Sequence, residues 1–135
     1  MQIVIPGNPI PKLRPRFGSK KTYDVQKDTK RFYQAIITSE IKRKIIRRDK
    51  KEMAEMYKIA KSSNFHLSIF FYMKIPRSAK EKMPCNKKPD IDNLIKLILD
   101  CMSGLVFDDD RLVTSICAKK SYSKKPKTVI EIEAL

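Results

Sequence analysis

The chain has 135 residues, enough for one domain of ordinary size with a core of its own, and 41% are hydrophobic, which excludes disorder by composition. Thirty lysines and arginines face fifteen acids, for a net charge of +15; a chain this basic attracts polyanions, nucleic acid ahead of an anionic membrane. No apolar run reaches the roughly 18 residues of a membrane-spanning helix.

Met1 to Pro6 lacks a basic region followed by an apolar stretch, so no signal peptide is expected and a cytoplasmic location is the default. Cys85, Cys101 and Cys117 are odd in number and lack C-x-x-C spacing, so they read as reduced thiols rather than a zinc knuckle or a disulfide framework.

Gln2 to Ile5 reads as a short strand stopped by Pro6 and Gly7. Asn8 to Lys21 carries Pro9, Pro11 and Pro15 among five cations, which predicts an extended basic loop without regular structure. Val25 to about Ser62 is helical by pattern, with Phe32, Ala35, Ile36, Ser39 and Ile41 as the inward stripe and Lys42, Arg43, Lys44, Arg47 and Arg48 on a basic face. Two helices broken near Asp49 are favoured over one rod, because a small domain has little to pack against so long an element. Phe65 to Ile75 alternates as a strand, with Leu67, Ile69, Phe71, Met73 and Ile75 on one side, and Phe70 and Tyr72 hint at cover on the other. Ser78 and Glu81 stand at capping-box spacing for a short helix. A basic, proline-containing loop, Lys82 to Pro89, follows. Ile91 to Ser103 reads as a helix stopped by Gly104. Leu112 to Tyr122 and Thr128 to Glu133 read as a β-hairpin turning at Lys124, Lys125 and Pro126. The order β-α-α-β-α-β-β implies an α+β fold: a single domain, residues 1–135, with an antiparallel or mixed sheet of about four strands packed with helices.

Acids are unevenly placed. Six of the nine aspartates lie between Asp90 and Asp110, where Lys96 is the lone cation, so that segment is negative inside a positive chain. Like charges this close call for a compensating ion or a solvated position. Asp90 and Asp92 stand at the start of the helix, beside its positive dipole end. Asp92, Lys96 and Asp100 form a polar stripe at four-residue steps, while Leu94, Ile95, Ile98 and Met102 form the anchoring face. If helix and following strand are neighbours, a carboxylate of Asp108–Asp109–Asp110 can meet Asp90 and Asp92. Three converging carboxylates suit Mg²⁺, a hard ion with oxygen ligands, and a lysine one turn away could stabilise phosphoryl charge. The plainer reading makes Asp90 or Asp92 helix caps, the Asp triplet a solvated turn and Lys96 a partner of Asp92. An EF-hand is excluded, since Asp90 to Leu94 lacks the next ligand and the glycine. His66, the single histidine, reads as an ordinary strand residue, and no phosphate-binding glycine loop is present.

At these residues the chain resembles the RusA family of Holliday-junction resolvases, crossover junction endodeoxyribonucleases. Lys88-Pro89-Asp90-Ile91-Asp92-Asn93-Leu94-Ile95-Lys96, the following Asp100, and Phe107-Asp108-Asp109-Asp110-Arg111-Leu112-Val113 carry the likeness. Gly7 to Lys12, Arg14 to Phe17, and the closing strand Thr128 to Glu133 are also similar. The resemblance implies a homodimer, with no small-molecule cofactor, that binds four-way or other branched DNA. It implies paired symmetric nicks made with Mg²⁺ (Mn²⁺ substituting) in DNA recombination and repair, often encoded in prophages. It implies Asp90, Asp92 and Asp109 as metal ligands, with Asp108 as fallback for Asp109, and Lys96 as the catalytic lysine. Many members carry Gln at the position of Arg111. Lys12, Arg14, Arg16, Lys87 and Lys88 are the candidate phosphate contacts, Arg14 and Arg16 first because prolines fix their backbone. The competing expectations are a non-catalytic basic DNA-binding module, and a structure-specific nuclease acting on other branched or single-stranded nucleic acid.

Overall fold

Alternation of apolar residues decides which strands are central. The computed structural model describes residues 1–14, 16–19, 22–23 and 25–135, with the backbone alone at Arg16, Phe17, Thr22 and Tyr23. The elements run β1 (Gln2–Pro6), β2 (Arg16–Phe17), β3 (Thr22–Tyr23), α1 (Lys27–Arg47), α2 (Lys50–Lys61), β4 (Phe65–Lys74), α3 (Ile91–Met102), a 3₁₀ turn (Asp110–Leu112), β5 (Val113–Ser123) and β6 (Lys127–Ala134). The main sheet has the order β1-β6-β4-β5. β4 is antiparallel to β6 and parallel to β5, so the sheet is mixed. In β4, Phe65, Leu67, Ile69, Phe71 and Met73 are all buried, and they meet Ile3, Ile5, Ile130 and Ile132 of the neighbouring strands in one core. Its other face is only half-buried.

Two helices break at Arg48, which takes a left-handed conformation at φ 52°, and Asp49 caps the second by accepting from the Glu52 N–H at 3.0 Å. The buried stripe of α1 differs from the expected one. Tyr33 and Ile37 are buried and Ile36 and Ile41 pack against the core, whereas Phe32 is 56% exposed and Ala35 and Ser39 face solvent. Apolar residues lie on both sides of this helix, so periodicity alone could not choose between adjacent stripes. α3 is the better-patterned helix: Leu94, Leu97, Ile98, Cys101 and Met102 are buried.

Three expectations need correction. β5 and β6 do not form a hairpin; β4 lies between them. β4 is the most apolar strand and needs a partner on both edges, so the turn around Pro126 crosses its end instead of folding back tightly. Ser78 to Glu81 forms turns rather than a helix. The basic loop contains a short antiparallel pair, Arg16–Tyr23 and Phe17–Thr22, in a stretch expected to lack regular structure; Lys20 and Lys21 lie outside the described residues.

Candidate active site

β4, α3 and β5 make a strand–helix–strand crossover, because the two strands are parallel and adjacent. The helix must return against the strands, so its first turn lies at their carboxyl ends and its last turn at their amino ends. Open α/β crossovers commonly bind ligands at the carboxyl end. Here that end opens into a cleft of about 910 Å³, lined by Asp90, Asp92, Lys82, Lys119 and Lys120, with Phe70 and Tyr72 on its wall.

Backbone pairing builds the approach to Asp90. The Lys82 N–H donates to the Tyr122 carbonyl at 2.8 Å, Tyr122 N–H to Met83 at 2.9 Å, and Cys85 N–H to Lys120 at 3.0 Å. Beyond Cys85 the Lys120 ammonium donates to the carbonyls of Lys87 and Pro89, each at 2.6 Å. The Lys88–Pro89 bond is cis. Asp90 then occupies the capping position of α3, yet its side chain makes no capping bond. That leaves its carboxylate oxygens available to a ligand, which the plain cap reading does not.

One turn on, Lys96 Nζ lies 3.2 Å from Asp92 Oδ2. Both side chains are about 60% exposed, at 62% for Asp92 and 60% for Lys96. The Lys96 hydrogen bond holds the Asp92 carboxyl below the usual carboxylate range, against the opposing effect of desolvation and with help from the Asn93 backbone N–H. An exposed carboxyl is ionised at neutral pH without help; what the Lys96 bond adds is position, and the pair faces solvent as one unit.

Asp100 belongs to a different structure. It pairs with Lys12, and Lys30 Nζ lies 3.7 Å away. The Lys12 N–H also donates to the Asn93 carbonyl at 2.7 Å. Gln26, buried although polar, accepts from the Leu13 N–H at 2.6 Å and donates to the Pro11 carbonyl at 2.8 Å, while the Ile10 N–H donates to the Tyr33 hydroxyl at 3.3 Å. These bonds seat the N-terminal basic loop on α1 and α3. Lys12 is thus a tether of that loop, with its ammonium paired to Asp100. Arg14, Lys87 and Lys88 are exposed; the side chain of Arg16 lies outside the described residues.

The second acidic group sits elsewhere in the chain's own fold. Asp109 precedes β5 and accepts from the Arg111 N–H at 2.9 Å, capping the 3₁₀ turn, and Arg111 Nε lies 3.9 Å from it. The 12 residues of α3 separate this turn from Asp90, a length of about 18 Å at 1.5 Å per residue. Among the described residues no group of three or more His, Cys, Asp or Glu side chains is placed to hold a metal ion. One chain thus brings Asp90, Asp92 and Lys96 together and leaves Asp109, Asp108 and Asp110 at the far end of the helix. His66 is held between strand hydroxyls, Nδ1 2.6 Å from Ser115 Oγ and Nε2 3.2 Å from Ser68 Oγ, apart from the cleft. Lys82 opens the basic loop that the sequence marks out, whereas Lys119 and Lys120 carry no such signal, since nothing in a run of lysines shows which of them turn toward a carboxylate.

A mixed four-stranded sheet with a carboxylate–lysine cleft at the carboxyl ends of its parallel pair is the class of domain seen here. The family model described as endodeoxyribonuclease RusA matches residues 6–133, and the chain belongs to that family. Over 45 residues it is 36% identical to the Bacillus subtilis (strain 168) protein named "Uncharacterized protein YqaN". That match covers 33% of this chain and 32% of that protein, so the chain spans about a third of the length of the curated relative it matches.

Proposed function

We propose that this chain is a Mg²⁺-dependent endodeoxyribonuclease that resolves four-way DNA junctions by paired, symmetric nicks, as a homodimer. The observation that carries the reading is the state of Asp90 and Asp92. The Asp90 side chain makes no capping bond, Asp92 is paired with Lys96, and both carboxylates line a cleft walled by lysines.

Those residues fit the ion that the family implies. Mg²⁺ is a hard cation commonly held by one or two carboxylates with several waters retained, and two solvent-facing aspartates supply such oxygens; Mn²⁺ accepts the same donors. When bound, the ion would neutralise phosphoryl charge and lower the pKa of attacking water. The chain's own part is positional. Asp90 and Asp92 would hold the ion, and the Lys120 clamp on Lys87 and Pro89 fixes where Asp90 stands. Lys96 orients the Asp92 carboxylate and presents an ammonium to a phosphate beside it. Lys82, Lys119 and Arg14 hold backbone phosphates on either side.

Asp109 is the third ligand in this reading and arrives from a second copy, because its own fold keeps it a helix length away. A two-fold pair of such sites matches two symmetric nicks. A labelled four-way junction incubated with and without Mg²⁺ tests the proposal. The wild type cleaves only with the ion, and Asp92→Asn binds the junction without cutting it. Cleavage by Asp92→Asn at the wild-type rate removes the site. Equal cutting of a plain duplex, a single strand or an RNA hairpin removes the junction preference.

A further inference from the structure

We infer that Phe70 and Tyr72 form a stacking platform for one unpaired nucleotide of the DNA branch, held beside the phosphate that Asp90 and Asp92 address. The platform rests on the nuclease reading and adds to it a means of telling a branch from a duplex.

The helices bury one face of β4. Tyr33 and Ile37 of α1, Ile59 of α2, and Leu94, Leu97 and Ile98 of α3 share one core with Leu67, Ile69 and Phe71. Alternation then turns His66, Ser68, Phe70 and Tyr72 to the opposite face, where all four are half-buried. Among the described residues, the part of a helix that lines the cleft with Phe70 and Tyr72 is Ile91 and Asp92, in the first turn of α3.

This second face changes character along the strand. Residues directly opposite on neighbouring strands share a face. At the amino end His66 lies opposite Glu133, and Ser68 opposite Glu131. At the carboxyl end Phe70 lies opposite Lys119 of β5, and Tyr72 opposite Lys127 of β6. The polar and acidic half gives way to an aromatic and basic half, and the aromatic half is the one that shares a cleft with Asp90 and Asp92. The Lys127 ammonium lies 5.5 Å from the centroid of the Tyr72 ring. Among the described residues neither ring pairs with another ring; the ring pairs are Phe32 with Tyr33 and Phe65 with Phe107.

Aromatic residues are ordinary strand formers, but folding alone does not call for a lysine beside each of them. Shape and charge choose the occupant. A nucleobase offers a π-face and carries an anionic phosphate, so an aromatic ring flanked by lysines matches both of its parts. The cleft of about 910 Å³ has the size of sites that enclose small molecules, which fits one nucleotide. An apolar peptide would cover the rings and leave Lys119 and Lys127 without counter-charge. In a paired duplex each base face is already covered, and lifting a base out costs its stacking and pairing; an already unpaired base costs least. The platform therefore favours a branch, whose crossover can supply an unstacked base.

The experiment uses the full chain and a four-way junction in EDTA, so that binding is read without cutting. Iododeoxyuridine is placed in turn at each nucleotide flanking the crossover, the complex is irradiated, and cross-linked peptides are mapped by mass spectrometry. A cross-link to Phe70 or Tyr72 is expected from the junction, and none from a fully paired duplex carrying the same base. Phe70→Leu and Tyr72→Leu keep apolar bulk and lose the ring. Each is expected to weaken junction binding at least about 5-fold and to leave duplex binding as in the wild type. The cross-link is read on the wild type, so it stands even where a variant fails to fold. No cross-link to either ring, equal capture from the duplex, or two folded leucine variants that bind the junction as tightly as the wild type overturns the platform. Failure of the two readings is separable. Mg²⁺-dependent cutting without a cross-link to either ring keeps the nuclease and removes the platform. A junction-specific cross-link to Tyr72 in a chain that never cuts with Mg²⁺ keeps the platform and removes the nuclease.

Discussion

The two ends of α3 carry the same residue type to different uses. At its start, Asp90 and Asp92 lie in a lysine-walled cleft and Asp92 is paired with Lys96. After its end, Asp109 caps a 3₁₀ turn in front of an open strand edge. Aspartate clusters are therefore not equivalent evidence for a metal. What separates them is whether the carboxylates are already satisfied by the backbone and whether cations surround them. Asp90 stands at a capping position without capping, and Asp109 caps. The Asp109 bond does not disqualify it as a ligand, because each carboxylate has two oxygens and the Arg111 N–H uses one.

The sharpest way to break that contrast is Asp92→Asn. It is expected to lower junction cleavage at least about 100-fold, as loss of a charged oxygen ligand at a reacting phosphate should. Binding by gel shift should change little; an equal loss of binding would make Asp92 a folding residue instead. Next comes Lys120→Met, which leaves the Lys87 and Pro89 carbonyls without their donor. Displacing Asp90 in this way should cost roughly 10-fold in rate and about 1–2 kcal/mol in stability. Wild-type rates in this variant would mean that the clamp does not position the site.

A mixing experiment addresses both ends together. Asp92→Asn and Asp109→Asn are each expected to be inactive alone. In an equimolar mixture about half the dimers contain one of each, and each mixed dimer has one complete site if the acids meet across the two-fold. Nicking of one strand should return to roughly a quarter of the wild-type level. No recovery in a mixture shown to exchange subunits would place the three acids in one chain.

The smallest effect concerns the end of α3 itself. Burial pushes the Cys101 thiol up from 9.0 to about 11, with Asp100 adding to the rise. Folded, the thiol stays protonated to about pH 11, whereas unfolded it ionises near its ordinary value. The unfolded state then binds fewer protons in this window, so stability falls as pH rises from about 9 to 11. Denaturant unfolding of the wild type and Cys101→Ala at pH 8 and pH 10.5 checks this, and an identical alkaline loss in both would sink it.

Much of the fold was legible because local pattern and tertiary demand agree. Phe65 to Lys74 alternates and lies at the centre of the sheet; Ile91 to Met102 has a single apolar face and is packed by it. In α1 the pattern is ambiguous by one position because Phe32 and Tyr33 are both aromatic, and only packing against β1 and α3, with a partner for the Tyr33 hydroxyl, buries Tyr33. The pattern of β5 and β6 suggests a hairpin because a short turn with proline looks the same whether the strands it joins pair or flank a third.

By itself the sequence determined the α+β class, the break at Asp49, the concentration of acids in a basic chain and the motif Asp90-x-Asp92-Asn93-x-x-Lys96. Those properties are local: charge, period and capping act over a few residues. Tertiary structure alone decided that β5 lies parallel to β4, and through it where Asp109 stands. A helix joining adjacent parallel strands must run back against them, so residues just before it and just after it are carried to opposite ends. No count of aspartates contains that reversal, because it is a property of the path the chain takes between them.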